Sequence, residues 1–146
     1  MEPLHLLFEG TVTTPVGFTA VAVAAGLKKD NQLDLALVVS QEDCSCAAMF
    51  TKNQVVAAPV IVDRETLARN NSQIRAVVIK SKNANACTGG PGLENARATQ
   101  QITANALGCE ANQVLVLSTG VIGVQLPMDK LKAGIVDRAV ELSRDN

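Results

Sequence analysis

Short aliphatic runs alternate with polar turns along the first half of the chain, a pattern typical of half-buried β-strands. Two such runs span Gly17 to Leu27 and Leu33 to Ser40, with the turn Lys28-Lys29-Asp30-Asn31 between them. A third run, Cys46 to Thr51, follows after a few polar residues. We therefore predict that these three strands form an antiparallel meander.

The second half of the chain repeats the order strand, loop, helix, and predicts an α/β (α+β) fold in one domain of 146 residues. The predicted strands are Arg75 to Lys80 and Val114 to Leu117, the latter aliphatic enough to be buried on both faces. Helical spacing gives the last helix one apolar face. The predicted helices run from an N-cap at Asp63 to Arg69, from Leu93 to Leu107 (with Leu93, Ala96, Ile102, Ala106 and Leu107 inward), and from Pro127 onward (with Met128, Leu131, Ile135, Ala139 and Leu142 inward).

Two loops that follow these strands carry the candidate chemistry. They are Asn83 to Gly92 and Ser118 to Leu126, and they open on one edge of the sheet if their strands are neighbours. The second loop places the Thr119 hydroxyl beside the Gly120 amide, a pair of donors that can stabilise an oxyanion. The alternative is an ordinary turn in which glycine supplies a positive φ.

A phosphate site is a weaker interpretation of the same loops. Neither loop contains a dinucleotide or P-loop glycine motif, and no lysine is placed to reach a phosphate. Lys80 and Lys82 are predicted to lie at an exposed strand end. The single histidine, His5, is close to the amino terminus, so the loops have no partner for Ser-His or Cys-His catalysis. The sequence therefore predicts a charge-stabilising half-site without its own nucleophile.

Composition excludes several other classes of protein. With 47% hydrophobic and 18% charged residues the chain can bury a core, so global disorder is excluded. The 13 Lys and Arg are scattered, the net charge is −1 and the only aromatic residues are three Phe, so nucleic acid is not an expected partner. No apolar run approaches the roughly 18 residues of a membrane span, and no signal peptide is visible. We expect a cytoplasmic protein without membrane contact.

Four cysteines are expected to be buried free thiols rather than disulfides or metal ligands. The close pair Cys44 and Cys46 does not have the spacing of a zinc site, and no histidine lies near it in the sequence. Cys87 is the thiol of most interest, because it lies in the glycine-rich loop. We predict no metal site.

Four segments resemble the amino-terminal portion of the ornithine acetyltransferases, the bifunctional enzymes of arginine biosynthesis. They are Thr13-Thr14-Pro15-Val16-Gly17-Phe18, Cys44 to Thr51 with Asn53, Asn83-Ala84-Asn85-Ala86-Cys87-Thr88-Gly89, and Ser118-Thr119-Gly120-Val121-Ile122-Gly123. The resemblance covers essentially the whole chain, and the Asn-Ala-Asn-Ala-Cys-Thr-Gly segment is its most specific part.

The resemblance implies a mechanism. Precursors of this family cut themselves into an α and a β chain, and the new N-terminal threonine of the β chain is the nucleophile. It takes acetyl from N-acetylornithine and passes it to glutamate in a ping-pong transfer without a cofactor. Residues matching Thr119 and Gly120 form the oxyanion hole. The implied fold is a layered sandwich of β-sheets between helices (DmpA/ArgJ-like), completed by the partner β chain, in an α2β2 or higher oligomer.

The chain departs from the family at its end, because the cleavage motif and the substrate-contacting lysine before it are absent. Residues 1–146 are therefore expected to be an α chain that lacks its carboxyl-terminal part and is inactive alone. We also expect Asn85 and Thr88 to face the cleft and to position either Thr119 or substrate; the alternative is that they satisfy their own loop. Two other functions stay open: an amidase or β-aminopeptidase-like hydrolase subunit, and a non-catalytic small-ligand-binding domain.

Overall fold

The structure, a computed structural model, describes residues 6–144, so His5 and the two carboxyl-terminal residues lie outside the described part. Its strands and helices follow one another in the order predicted by the sequence, with one strand fewer in the first half. The elements are β1 (Phe18–Val23), β2 (Leu35–Cys44), α1 (Ala58–Arg69), β3 (Ile74–Lys80), α2 (Gly89–Leu107), β4 (Val114–Ser118) and α3 (Met128–Arg138), with short 3-10 turns at Ala111–Gln113 and Ala139–Glu141.

The four strands form one sheet in the order β1-β2-β3-β4. The first three are an antiparallel meander, and β4 lies parallel to β3. The predicted meander is therefore present, but its third strand is β3 and not Cys46 to Thr51, which is irregular. The reason is that β2 continues through a bulge to Cys44, which pairs with Ile74. Beyond Cys44 the Cys46 amide still donates to the Asn71 carbonyl, but this segment does not form a strand of its own.

The first strand ends at Val23, four residues before the predicted end at Leu27. The buried carboxylate of Asp34 explains the difference, since it accepts hydrogen bonds from the backbone amides of Ala25, Leu27 and Lys28 at 2.6–2.7 Å. These amides are therefore bound to a side chain instead of a neighbouring strand.

Helices α2 and α3 cover one face of the sheet and bury the main core against it. The face predicted for the last helix is confirmed, because Leu131 and Ile135 are fully buried and Met128, Ala139 and Leu142 pack around them. Helix α2 begins at Gly89, four residues earlier than predicted. No helix among residues 6–144 is both long and apolar enough to cross a membrane.

Helix α1 packs beside β4, which is an edge strand of the described sheet. It begins at Ala58, with Pro59 in its first turn, so the prediction of an N-cap at Asp63 was wrong. Asp63 lies inside the helix and its buried carboxylate accepts a hydrogen bond from the Val116 amide at 2.9 Å. The buried Gln100 amide donates to the Val114 carbonyl at 2.8 Å, so two side chains occupy hydrogen-bonding groups of this edge.

The opposite face of the sheet carries an apolar row that crosses all four strands. Ala22 is opposite Ala36, Ala36 is opposite Ile79, and Ile79 is opposite Leu117. None of the four belongs to the buried core, and Leu117 is 43% exposed. We call these four residues the open row. The helical layer of α2 and α3 packs on the other side of the sheet.

Candidate functional site

The carboxyl ends of β3 and β4 lie side by side and bring the two predicted loops together. Lys80 is opposite Ser118 at the end of the parallel pair. From this pair onward, four backbone hydrogen bonds extend the parallel pairing and join the two loops to each other. The bonds run from Thr119 to Lys80 (3.1 Å), from Val121 to Lys82, from Ala84 to Val121 and from Gly123 to Ala86 (each 2.8 Å, amide to carbonyl).

Gly120 lies where the two loops approach most closely. A Cβ atom at this position would be 2.3 Å from the Lys82 carbonyl carbon and oxygen and 2.8 Å from the Asn83 nitrogen. Its φ of +125° is also one that side chains rarely adopt. The glycine is therefore required by contact as well as by conformation, and it fixes the position of the amide that follows Thr119.

Thr119 and Gly120 present two hydrogen-bond donors at this end of the sheet. Both residues are exposed. Within residues 6–144 neither the Thr119 hydroxyl nor the Gly120 amide has a hydrogen-bond partner, whereas the amides of Thr119 and Val121 are bonded to the carbonyls of Lys80 and Lys82. An adjacent hydroxyl and amide that are both free to donate can bind an oxygen atom on which negative charge develops.

Asn85 and Thr88 are buried, and their side chains bond to each other and to their own loop. The Thr88 hydroxyl donates to Asn85 Oδ1 at 2.8 Å, and the Asn85 amide donates to the Gly92 carbonyl at 2.9 Å. Asn85 itself has a left-handed φ of 52°. The structure thus shows a stabilising role within the loop, and contact of these two residues with a substrate stays a prediction.

Lys80 is the functional candidate that sequence reasoning placed incorrectly. It is only 1% exposed, and its ammonium donates to the Asn83 carbonyl in the adjoining loop. Lys82, by contrast, is exposed as predicted. The signal for Lys80 was present in the alternation of β3, because Ile74, Ala76 and Val78 place every second side chain in the core and Lys80 is next in that series.

A cavity of about 460 Å³ opens beside Thr119, between α1 and the ends of β3 and β4. Its lining is mostly apolar and includes Phe50 and Leu117, and its polar members are Asp63, Lys80, Ser118 and Thr119. Burial raises the pKa of Asp63 to about 6, against the lowering effect of its bond from the Val116 amide. The Ser118 hydroxyl is buried without a partner in the described chain.

The cysteines are free, as predicted, but they are less buried than expected. Cys44, Cys46 and Cys109 are half-buried and Cys87 is exposed, so the prediction of a buried Cys87 was wrong. The reason is that Cys87 has a left-handed φ of 55° at the turn into α2, where neighbouring Asn85 and Thr88 take the inward positions. No group of three metal-ligating side chains is present among residues 6–144.

Known proteins similar to this chain include several that carry one family name. The model of the ArgJ family matches residues 19–145. Arginine biosynthesis bifunctional protein ArgJ of Parasynechococcus marenigrum is 47% identical over 98% of this chain, and that of Thermobifida fusca is 47% identical over 92%. The chain spans about a third of the length of these curated relatives, 35% in each case.

Two crystal structures have the same fold. The ornithine acetyltransferase of Mycobacterium tuberculosis, solved in complex with ornithine, superimposes with a TM-score of 0.90 and 44% identity, over 94% of this chain and 74% of that one. The bifunctional protein of Bacillus halodurans gives a TM-score of 0.85 and 39% identity, over 89% and 67%. These matches confirm the predicted α+β fold and the resemblance from which it was inferred. The chain belongs to the ArgJ family.

Proposed function

We propose that this chain is the α chain of an acyltransferase that moves an acetyl group from N-acetylornithine to glutamate, and that Thr119 and Gly120 form its oxyanion hole. The free hydroxyl and amide at the carboxyl end of β4 are the observation that carries the proposal. Two preorganised donors of this kind strengthen their hydrogen bonds as charge develops on the substrate oxygen.

The nucleophile in this proposal is the N-terminal threonine of a β chain. Its hydroxyl oxygen attacks the acetyl carbonyl of N-acetylornithine, the carbon–nitrogen bond breaks, and ornithine leaves with a proton on its amine. The amine of glutamate then attacks the acetyl-threonine ester and displaces the threonine oxygen. Each step passes through a tetrahedral oxyanion that Thr119 and Gly120 would bind, and neither step needs a cofactor.

Three observations support a partner chain. The described residues hold the donors but no histidine, and the chain spans about a third of its curated relatives. The open row is an apolar strip of the sheet face that residues 6–144 cover only at its β4 end, where Ile79 and Leu117 line the cavity beside α1, and a second sheet would bury it. We therefore place the chain as one α-chain domain in an αβ unit, assembled as α2β2 or a higher oligomer in the cytoplasm, where its four cysteines stay reduced.

In this proposal Asn85 and Thr88 act on the site indirectly, through the loop that carries them. Their mutual hydrogen bond and the bond to Gly92 fix the loop that pairs with residues 119–123. They would thus position Thr119, which is one of the two roles that the sequence predicts for them. The relative solved in complex with ornithine is consistent with an amino-acid substrate for this chain as well.

The test is a half-reaction with the chain expressed together with the rest of its precursor. N-acetylornithine is added without glutamate, and ornithine release and intact protein mass are followed together. We expect a burst of one ornithine for each αβ unit and one acetyl group on a separate polypeptide that begins with threonine. Adding glutamate should remove the acetyl group as N-acetylglutamate.

Each alternative function gives a different result in this experiment. Acetate release at the same rate with and without glutamate would identify a hydrolase of the same fold. Absence of any acetylated polypeptide and of any chain beginning with threonine would contradict the proposal, and would favour a non-catalytic domain.

A further inference from the structure

The buried lysine at the end of β3 has no role in the mechanism above. Lys80 is 1% exposed, and none of the ion pairs among residues 6–144 involves it. Its side chain shares the inward face of β3 with Val78, which is fully buried. Burial of a charge without a counter-ion is unfavourable, and it lowers the pKa of Lys80 to about 8. An apolar residue would fill this position at lower free-energy cost.

The hydrogen bond of the Lys80 ammonium connects it to the backbone next to the proposed oxyanion donors, Thr119 and Gly120. The ammonium donates to the carbonyl of Asn83, the residue paired with Val121 of the other loop through the Lys82 carbonyl and the Ala84 amide on either side of it. The amide nitrogen of Asn83 and the carbonyl of Lys82 are the atoms against which Gly120 packs. The Lys80 carbonyl meanwhile accepts the amide of Thr119 at 3.1 Å. One residue therefore contacts both loops, through its side chain on one side and its backbone on the other.

We propose that Lys80 is a positioning residue for the oxyanion hole, whose ammonium holds the Asn83 carbonyl and thereby fixes the backbone on which Gly120 rests. This inference rests on the proposed function of Thr119 and Gly120. Small displacements of preorganised donors are costly for catalysis, because the donors must be in place before charge develops on the substrate.

The experiment compares Lys80→Met with Lys130→Met in the assembled αβ enzyme. Methionine is unbranched like lysine and only one atom shorter, and it removes the charge and the donors. Lys130 is a matched control, because its ammonium also donates to a backbone carbonyl, that of Gly26, but from the exposed surface of α3. For Lys80→Met we expect kcat for acetyl transfer to fall at least about tenfold, with KM changed less than about twofold. The control should change neither.

Two further measurements separate positioning from a general loss of structure. The unfolding midpoint of Lys80→Met should be equal to or higher than that of the wild type, because a buried unpaired charge has been removed. Amide hydrogen exchange should become faster at Ala84 and Val121, whose bonds join the loops, and should be unchanged in Lys130→Met.

Unchanged kcat or unchanged exchange at these amides would overturn the inference, and so would a loss of kcat that tracks a lower unfolding midpoint. The outcome is separable from failure of the proposed function. If the wild-type enzyme transfers no acetyl group to glutamate, the proposed function fails, while the exchange rates still show whether Lys80 holds the two loops together.

Discussion

Asp63 is a buried carboxylate whose environment sets a testable pH dependence. It accepts the Val116 amide at the edge of β4, and burial raises its pKa from 3.8 to about 6. The folded state therefore binds a proton more tightly than the unfolded chain does. The stability that this proton contributes is fully present below about pH 3.8 and is lost as the pH rises through about 6.

Replacing Asp63 by Asn should remove this dependence. The amide keeps an oxygen for the Val116 amide but carries no charge at any pH. A shift of this size corresponds to about 3 kcal/mol, so the variant should gain up to that amount of unfolding free energy relative to the wild type between pH 4 and pH 7. Denaturant unfolding at a series of pH values measures the difference.

Glu65→Gln is the matched control, because Glu65 lies on the same helix and pairs with Arg97 at a half-exposed position. It should show no comparable change over the same range. A parallel pH dependence in Asp63→Asn and the wild type would show that Asp63 does not titrate as described.

Among single residues, the sequence indicated the exposed donors Thr119 and Gly120 but not the burial of Asp63 and Lys80. Thr119 and Gly120 follow directly from a strand that ends in Ser-Thr-Gly. Asp63 and Lys80 were placed at a helix cap and an exposed strand end, because charged residues are usually near the surface. Their burial depends on which strand is at the edge and which loop folds over it, and these are properties of the assembled sheet.

The paired loops are the element on which the site depends. Four backbone hydrogen bonds join them beyond the last residues of β3 and β4, and Gly120 is the point of closest contact. The loops therefore extend the parallel sheet pairing, although their sequences contain many residues that disfavour strands.

Gly120→Ala should disrupt this pairing. The added Cβ would overlap the backbone of Lys82 and would also require a strained φ, so we expect a loss of about 2–4 kcal/mol in the free energy of unfolding. Thermal or denaturant unfolding of the assembled enzyme measures it.

Gly90→Ala is the comparison, because nothing lies within 4 Å of a Cβ at Gly90 and its φ is ordinary. This substitution should change stability by less than about 0.5 kcal/mol, as is usual for an open surface position. Equal stability of the Gly120→Ala and Gly90→Ala enzymes would contradict the close packing of the loops.

The elements themselves were largely predictable, and the errors have local causes. The strands β1, β2, β3 and β4 and all three helices are present in the predicted order. The strand predicted at Cys46 to Thr51 is absent because β3, and not this segment, occupies the position next to β2. Helix α1 begins at Ala58. The proline of the Ala-Ala-Pro segment is typical of a helix start, but the prediction placed the start at the more polar Asp63.

Residues 6–144 form one sheet whose main core lies under α2 and α3, while α1 lies beside β4 at the edge of the other face. The open row crosses the other face, so an αβ unit should depend on it for assembly. An isolated chain with this face exposed should aggregate and lack a sharp unfolding transition.

Leu117→Asp tests this surface. A carboxylate on an apolar sheet face that the proposed partner buries is strongly unfavourable, so the variant should prevent formation of the αβ unit and of the larger oligomer. Size-exclusion chromatography with intact mass analysis gives the composition of each species.

Val140→Asp is the control, because Val140 is 86% exposed in the 3-10 turn after α3 and does not lie on the sheet. It should leave assembly unchanged. Normal assembly of the Leu117→Asp enzyme would show that the partner does not cover the open row.

Thr119 and Gly120 are proposed to bind the oxyanion formed on a partner threonine. This role is tested most directly by kcat and KM for acetyl transfer in Thr119→Ala and Thr119→Ser enzymes. Loss of the hydroxyl in Thr119→Ala should lower kcat by about 10²–10³-fold with little change in KM, because the hydrogen bond strengthens mainly in the transition state. Thr119→Ser keeps the donor and should retain most of the activity. A Thr119→Ala enzyme with near-normal kcat would contradict the assignment.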